Sequence, residues 1–222
     1  NQYRFMTPAE ADAAFAPLAQ RPVVFPDSTG SWLSTHRPDI VLVILESFTG
    51  HILDMPEVMP RLKALSEEGI YFPHFYANSF RTDRGLVSIL SGYPAQPTAS
   101  IMKSPSKSQS LPAIARSLRK VGYDTEMIYG GDADFTNMRS YFYATGYGRV
   151  MSCDDFTTEE NSARWGVPDH ITFPRVEKEI ARQTARPFMK TFLTLSSHEP
   201  FDVPMSRLEH PYLNSVAYTD SC

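Results

Sequence analysis

The chain has 222 residues, of which 42% are apolar and 21% are charged, and its formal net charge is −4. This length suits one α/β domain with a single core, and the slight acidity gives no electrostatic reason to expect a nucleic-acid partner. No run of about 18 apolar residues occurs, so the segment is predicted to contain neither a membrane span nor a signal peptide.

The first 37 residues predict a turn-rich lead-in, with one short helix at "PAEADAAFAPLA". The core of the fold is predicted to occupy residues 38 to 222. It opens with "DIVLVIL" (39 to 45), a continuous β-branched and aliphatic run that is typical of a strand buried on both faces of a parallel sheet.

Helix and strand patterns alternate along the rest of the chain. Helices are predicted over 59 to 69, from Thr82 or Asp83 to the "SGYP" stretch, and over 112 to 122, 135 to 146 and 173 to 185. Extended segments are predicted over 70 to 77, 125 to 132 and part of 188 to 201, and the polar stretch 95 to 110 is expected to be a surface loop. This order predicts an α/β fold: a mostly parallel sheet flanked by helices on both faces.

Polar side chains follow three of the predicted strands. Glu46 comes after "VLVIL", Asp132 after "TEMIYGG" and His198 after "FLTLSS". Ligands of open α/β sheets bind beyond the carboxyl ends of the strands. A lone glutamate in this position is more often a cap or an ion-pair partner, but Glu, Asp and His on one rim indicate a metal or anion site.

Thr82 stands between two arginines at a predicted helix start, in "SFRTDRGLVSIL" (79 to 90). Helix capping is the ordinary reason for a hydroxyl at such a place. A helix N-terminus also attracts anions, and a threonine hydroxyl becomes a nucleophile when a base or a metal activates it. Glu46 is the nearest candidate ligand in this layout, and Arg81 or Arg84 is expected to hold an anionic group.

Several blocks, in order, resemble one family. "VLVILESF", "MPRLKAL", "NSFRTDRGLVSILSG", "SLPAIARSLRKVGYDTEMIYGGD" and "LTLSSHEPF" are similar to the lipoteichoic acid synthase-like phosphoglycerol transferases, which belong to the sulfatase and alkaline phosphatase superfamily. The resemblance covers roughly residues 38 to 220. It implies an alkaline phosphatase-like fold and an enzyme that transfers glycerophosphate from a phospholipid head group.

The resemblance also implies roles for single residues. Thr82 matches the nucleophile and, with Glu46, a metal-ligand position for one divalent cation, Mn²⁺ or Mg²⁺, with Zn²⁺ or Ca²⁺ as alternatives. His198 matches a substrate-binding histidine of the family. Arg84 and Asp132, by their places at a helix start and a strand end, and Arg139, as a candidate for the family's substrate-binding arginine, are the other predicted substrate-binding residues. The implied partners are a phospholipid donor, a glycan or glycerol-phosphate acceptor and a membrane. The implied location is extracytoplasmic, on a bacterial protein anchored by membrane helices that precede Asn1.

Three departures from the family pattern concern the substrate and the metal. Gly130 stands where the family often has a histidine, and "FTNMR" replaces a block that contains a tryptophan. The family's later Gly-Asp-His motif is not found. Asp169-His170 is the only Asp-His pair, but it follows no predicted strand and Asp169 has the position of a helix cap, so we do not interpret it as the ligand pair. The segment is therefore expected to lack the C-terminal metal ligands, to bind the metal weakly and to be inactive alone.

Other functions are possible for such a sequence, and each differs from a phosphoglycerol transferase in a feature that can be tested. A sulfatase needs a Cys or Ser in a C/S-x-P-x-R motif, which "RTDRG" lacks. A phosphoethanolamine transferase or phosphodiesterase of the same superfamily also uses a threonine nucleophile. A non-catalytic module that binds a glycan or a lipid is the alternative outside enzymes. Cys153 and Cys222 lack the spacing of a zinc or redox site, and the sequence leaves open whether they are thiols or a disulfide.

Overall fold

The computed structural model describes residues 4–19 and 33–222. The chain divides into two compact units, Asn1–His36 and Arg37–Cys222. The first unit contains helix α1 (Pro8–Ala19), at the stretch where the sequence predicts a helix. In the described ranges, none of the helices has the length and apolar character that crossing a membrane requires.

The second unit is built on a four-stranded sheet. Its strands are β1 (Ile40–Ile44), β2 (Asp124–Tyr129), β3 (Arg149–Met151) and β4 (Phe188–Leu193), in the spatial order β1-β4-β2-β3. All neighbouring pairs are parallel. Leu193 is in register with Ile44 on one side and with Tyr129 on the other, so three strands end at the same level. The parallel α/β prediction is confirmed, although β3 was not predicted because three residues carry too little pattern.

Helices cover both faces of the sheet. They are α2 (Pro60–Glu68), α3 (Thr82–Ser91), α4 (Pro105–Ser108), α5 (Ile114–Lys120), α6 (Met138–Thr145), α7 (Asp169–Ala181) and α8 (Pro211–Ser221). Successive residues of β2 belong to different cores because side chains alternate along a strand. Met127 packs in a cluster that includes residues of α3, α5 and α6, whereas Ile128 packs with Val176 of α7. Helix α2 packs against α8.

Two predicted elements differ from the structure. Helix α7 begins at Asp169, four residues before the predicted start at 173, because Pro174 lies inside the helix and does not begin it. Residues 70 to 77, predicted to be extended, form no strand. Their backbone pairs with none of the described strands. The aromatic residues of this stretch favour extended structure, but that preference depends on context and did not produce strand pairing here.

The prediction that the first strand is buried on both faces is wrong for the described chain. Leu42 and Ile44 pack against the main core, but Val41 and Val43 are 46% and 42% exposed. Strand β1 pairs with β4 alone and so forms an edge of the sheet. A run of consecutive apolar residues cannot show which neighbouring element covers each face, and within residues 33–222 this face is left open.

Candidate active site

A pocket of about 490 Å³ lies at the carboxyl ends of the strands. It is bordered by residues that follow β1 and β4, by the last residue of β2 and by the start of α3. The side chains lining it are Glu46, Ser47, Phe80, Arg81, Thr82, Asp83, Tyr129, Phe135, Thr136, Met138, Trp165, Leu195, His198, Glu199, Phe201 and Tyr212. The structure therefore brings three of the predicted site residues, Glu46, Thr82 and His198, to one cavity at the rim where strand ends meet.

Glu46 and Thr82 are joined directly. The Thr82 hydroxyl Oγ1 donates a hydrogen bond to Oε2 of Glu46 at 3.0 Å. The second oxygen of the carboxylate, Oε1, accepts from the hydroxyl of Ser47 at 3.2 Å. The backbone N–H of Glu46 donates to the Thr194 hydroxyl at 2.9 Å, which ties the end of β1 to the end of β4. The carboxylate is thus held between two hydroxyl donors.

Thr82 is the first residue of α3, which runs to Ser91. The helix is anchored by an apolar stripe, Leu86, Val87 and Leu90, each of which is 2% exposed, and it ends at Gly92 in the left-handed conformation. The N-terminal end of such a ten-residue helix carries unpaired N–H groups and the positive end of the helix dipole. Since Arg81, Thr82 and Asp83 all line the pocket, this end of the helix faces the cavity.

The two arginines beside Thr82 have different environments. Arg84, a predicted substrate residue, donates from Nη1 to the carbonyls of Gln96 and Pro97 at 2.8 and 2.5 Å, and it does not line the pocket. Arg81 is exposed and lines the pocket. In the described part of the chain its guanidinium has no hydrogen-bond or ion-pair partner. Arg81 is therefore the cation that is available to an anionic ligand.

Asp132 and Arg139 lie outside this pocket. Asp132 is exposed, and its Oδ1 accepts the backbone N–H of Asp134 at 2.8 Å. Arg139 donates from Nε to both carboxylate oxygens of Asp134 at 3.0 Å and from Nη2 to Asp154 at 2.8 Å and to Ser152 at 3.0 Å. The Arg139 guanidinium is thus already paired with two carboxylates, and it does not line the pocket that contains Thr82.

Asp169, the first residue of α7, is fully buried, and its carboxylate binds backbone N–H groups of the segment that follows β4. Its oxygens accept from the N–H groups of Leu195 and Ser196 at 2.9 and 3.2 Å and from the Thr219 hydroxyl at 2.7 Å. Burial raises the pKa of the Asp169 carboxyl, and these hydrogen bonds oppose that rise. The neighbouring His170 contacts the Tyr218 hydroxyl through Nδ1, and neither member of the Asp-His pair lines the pocket.

Tyr129 and Gly130 lie at the end of β2, and Tyr129 lines the pocket. Burial, together with the negative charges of Glu46 and Asp132, raises the pKa of Tyr129, which keeps this phenol neutral. At Gly130, a Cβ atom would lie 2.6 Å from the carbonyl oxygen of Val167. The position therefore has no room for the histidine that the resembling family often has there.

The described residues do not complete a cation site. Glu46 offers one carboxylate beside the Thr82 and Ser47 hydroxyls, and oxygen ligands of this kind suit Mn²⁺ or Mg²⁺. However, in residues 4–19 and 33–222 no three side chains of His, Cys, Asp or Glu are grouped so as to hold a metal ion. One carboxylate and neutral hydroxyls do not offset the dehydration of a divalent cation.

Several pocket residues were not predicted from the sequence. Trp165, Phe201 and Tyr212 come from three separate segments and carry no spacing signal that links them to Thr82. Tyr212 donates to the Ser47 carbonyl at 2.8 Å, and its ring packs against Phe201 with centroids 5.6 Å apart. The preference of aromatic residues for pocket walls is the one general signal that points to them.

Comparison with known proteins identifies the family of the chain. The Sulfatase family model matches residues 38–222, and the chain belongs to that family. It is 24% identical over 214 residues to the lipoteichoic acid synthase-like protein YvgJ of Bacillus subtilis strain 168, an alignment that covers 88% of this chain and 34% of the relative. It is 27% identical over 184 residues to lipoteichoic acid synthase 2 of the same organism, covering 78% of this chain and 28% of the relative.

A solved structure has the same fold. A protein of the alkaline phosphatase superfamily from Vibrio parahaemolyticus superposes with a TM-score of 0.83 at 24% identity, covering 99% of this chain and 58% of that chain. The chain spans about a third or less of the length of the two Bacillus relatives. The chain is thus a sulfatase-superfamily enzyme domain with an alkaline phosphatase-like fold, related to phosphotransferases, and enzymes of this superfamily are metal-dependent.

Proposed function

We propose that this chain carries the nucleophile of a phosphoglycerol transferase that takes glycerophosphate from a phospholipid head group. The observation that supports this most is the contact between Thr82 and Glu46: a hydroxyl at the start of a helix donates to a carboxylate at the end of a strand, inside a pocket. The relationship to lipoteichoic acid synthases supports the same reaction class.

The chemistry follows from the contact. Oγ1 of Thr82 forms a bond to the phosphorus of the donor, and the ester bond between that phosphorus and the diacylglycerol oxygen breaks. Oε2 of Glu46, which already accepts the Thr82 hydrogen bond, takes the Thr82 proton, and the leaving oxygen takes a proton from solvent. A hydroxyl of the acceptor, a glycan or a glycerol-phosphate chain, then attacks the glycerophosphoryl-threonine and gives its proton to solvent. The bond between phosphorus and Oγ1 breaks, and Oγ1 recovers its proton from Glu46.

The charge on the transferred phosphate needs a counter-charge. Among the described residues that line the pocket, Arg81 is the cation without a protein partner, and the N-terminus of α3 adds its N–H groups and dipole. We therefore assign phosphate binding to Arg81 in preference to Arg84, and a substrate contact to His198. Asp132 and Arg139 remain predicted substrate residues that would reach the substrate only if their present partners changed.

We further propose that Glu46 and Thr82 are two ligands of one divalent cation, Mn²⁺ or Mg²⁺, and that the remaining ligands come from outside the described residues. The exposed apolar face of β1 supports the same idea, because Val41 and Val43 are side chains that a completed domain would bury. In this proposal residues 38–222 are the N-terminal part of an extracytoplasmic catalytic domain whose membrane anchor precedes them.

Labelling of the nucleophile tests the proposal. The natural full-length protein is incubated with phosphatidylglycerol vesicles and digested, and glycerophosphate on Thr82 is sought by mass spectrometry. Thr82→Ala should lose the label and lower turnover at least about 1,000-fold, whereas Thr82→Ser should keep the label because it keeps the hydroxyl. Thr158→Ala, at an exposed threonine that does not line the pocket, is the matched control.

The identity of the donor lipid distinguishes phosphoglycerol transfer from phosphoethanolamine transfer. Label from phosphatidylglycerol but not from phosphatidylethanolamine supports the proposed function, and the reverse result identifies a phosphoethanolamine transferase. A label on Ser79 or Ser88 would contradict the assignment of Thr82. Lack of any label with both lipids would favour a binding module without turnover.

A further inference from the structure

We propose that Trp165 is the positioning residue of His198: it holds the imidazole in the pocket and fixes which ring nitrogen faces the substrate. The proposal rests on the proposed function for the role of His198 toward the substrate. It concerns a contact between two residues that lie 33 positions apart in the chain and in different loops, one after β3 and one after β4.

One carbonyl oxygen joins the two side chains. The Glu199 carbonyl oxygen lies 2.8 Å from Nδ1 of His198 and accepts the indole N–H of Trp165 at 2.7 Å. A carbonyl oxygen only accepts hydrogen bonds, so Nδ1 of His198 carries a proton. The nitrogen left for a ligand is Nε2, and in a neutral imidazole this atom is an acceptor.

The rings also pack against each other. The Trp165 and His198 ring centroids are 5.1 Å apart, and the ring planes are inclined by 60°. Trp165 is 43% exposed, yet its N–H is bonded and its ring is in contact. A half-exposed tryptophan that faces a pocket and makes both contacts restricts the rotation of the imidazole beside it.

Trp165 is itself held by backbone contacts. The turn containing it is closed by hydrogen bonds between Ala163 and Gly166, and the N–H of Val167 donates to the carbonyl of Gly130 at 2.8 Å, at the end of β2. Gly166 has φ of 144°, and a Cβ there would lie 2.2 Å from that same carbonyl. This close approach, which only glycine permits, places the turn against the rim of the sheet.

A second contact connects the same two loops. The backbone N–H of Arg164 donates to Oδ2 of Asp202 at 3.1 Å. The segment around Trp165 therefore makes two hydrogen bonds to the turn that contains His198. One is to Glu199 and the other is to Asp202, on either side of Phe201. With both points in place, Nε2 of His198 is the imidazole atom presented to the pocket, where it can accept a hydrogen bond from a hydroxyl group such as those of a glycerol head group.

The test combines kinetics with a spectroscopic readout in the natural full-length protein. Trp165→Ala is expected to lower kcat/KM for phosphatidylglycerol about 100-fold, because misplacing a substrate contact by about 1 Å costs that much. Trp165→Phe keeps a ring but loses the N–H, and about a 10-fold loss is expected. Tyr143→Ala, which removes an aromatic side chain that is 49% exposed on α6, is the control and should stay within about 2-fold.

The tautomer of His198 is measured by ¹H–¹⁵N correlation on protein with labelled histidine, without substrate. The signal of His198 is assigned as the one that disappears in His198→Gln. The Nδ1–H form should dominate in the parent protein and give way to a mixture in Trp165→Ala. An unchanged tautomer, or a kcat/KM within about 2-fold of the parent, overturns the proposal. Since the spectrum needs no turnover, it decides the role of Trp165 even if the proposed transfer reaction fails.

Discussion

Replacing Asp169 tests how the loop after β4 is held in place. In Asp169→Ala the N–H groups of Leu195 and Ser196 lose their acceptor in a fully buried site. Each unsatisfied buried N–H costs about 1–3 kcal/mol, so the two together predict a loss of about 2–6 kcal/mol in the free energy of unfolding. The Thr219 hydroxyl adds little, because it keeps a partner in the Ser197 hydroxyl at 3.2 Å.

Urea unfolding followed by circular dichroism measures this loss, with linear extrapolation to water. The control is His170→Ala, which removes the exposed neighbouring side chain and should cost less than about 1 kcal/mol. A loss below about 1 kcal/mol in Asp169→Ala would show that the two N–H groups find other partners. If Mn²⁺ raised the unfolding temperature of the parent protein but of neither variant, the pair would be a metal site and our structural interpretation would be wrong.

The same carboxyl gives a signed pH dependence. Burial raises the pKa of Asp169 in the folded state above its ordinary value of 3.8. A carboxyl with a raised folded pKa contributes its full stabilisation below the unfolded pKa and loses it as the pH rises through the folded pKa. The parent protein should therefore lose part of its advantage over Asp169→Ala as the pH rises from about 4. A difference that grows over this range would contradict the direction of the shift.

Substitutions at Gly130, Arg81 and Arg84, with Gly50 as a control, test the residues in and beside the pocket. Gly130→Ala places a Cβ 2.6 Å from the Val167 carbonyl and should lower stability by about 1–3 kcal/mol in thermal unfolding. Gly50→Ala is the control, because its Cβ meets nothing nearer than 4.0 Å, and it should change stability little. Equal effects of the two substitutions would refute the steric argument. Arg81→Ala should raise the KM for the phospholipid donor about 10-fold at unchanged stability. Arg84→Ala should instead lower stability by about 0.5–1.5 kcal/mol, since its hydrogen bonds to two exposed backbone carbonyls are lost, and the opposite pattern would reverse their roles.

The sequence by itself was sufficient to predict the parallel α/β fold and the meeting of Glu46 with Thr82. Both follow from local rules: a buried apolar run makes a strand, a hydroxyl before an amphipathic stretch begins a helix, and the carboxyl ends of parallel strands meet at one rim. His198 reached the same pocket by the same rule. Each of these residues lies close to the end of a strand or at the start of a helix. The pattern of residues along the chain predicts where strands end and helices begin, so it also predicts where these side chains lie.

The tertiary structure decided what each side chain contacts once it reaches the rim. Arg81 and Arg84 are three residues apart on the same helix start, yet one faces the pocket and the other holds the loop at Gln96. Trp165 reaches His198 from a separate loop. Such contacts join residues that are distant in sequence, and they depend on the packing of whole elements against one another. The open face of β1 has the same origin: apolar residues define a strand, but only its neighbours determine which of its faces are covered.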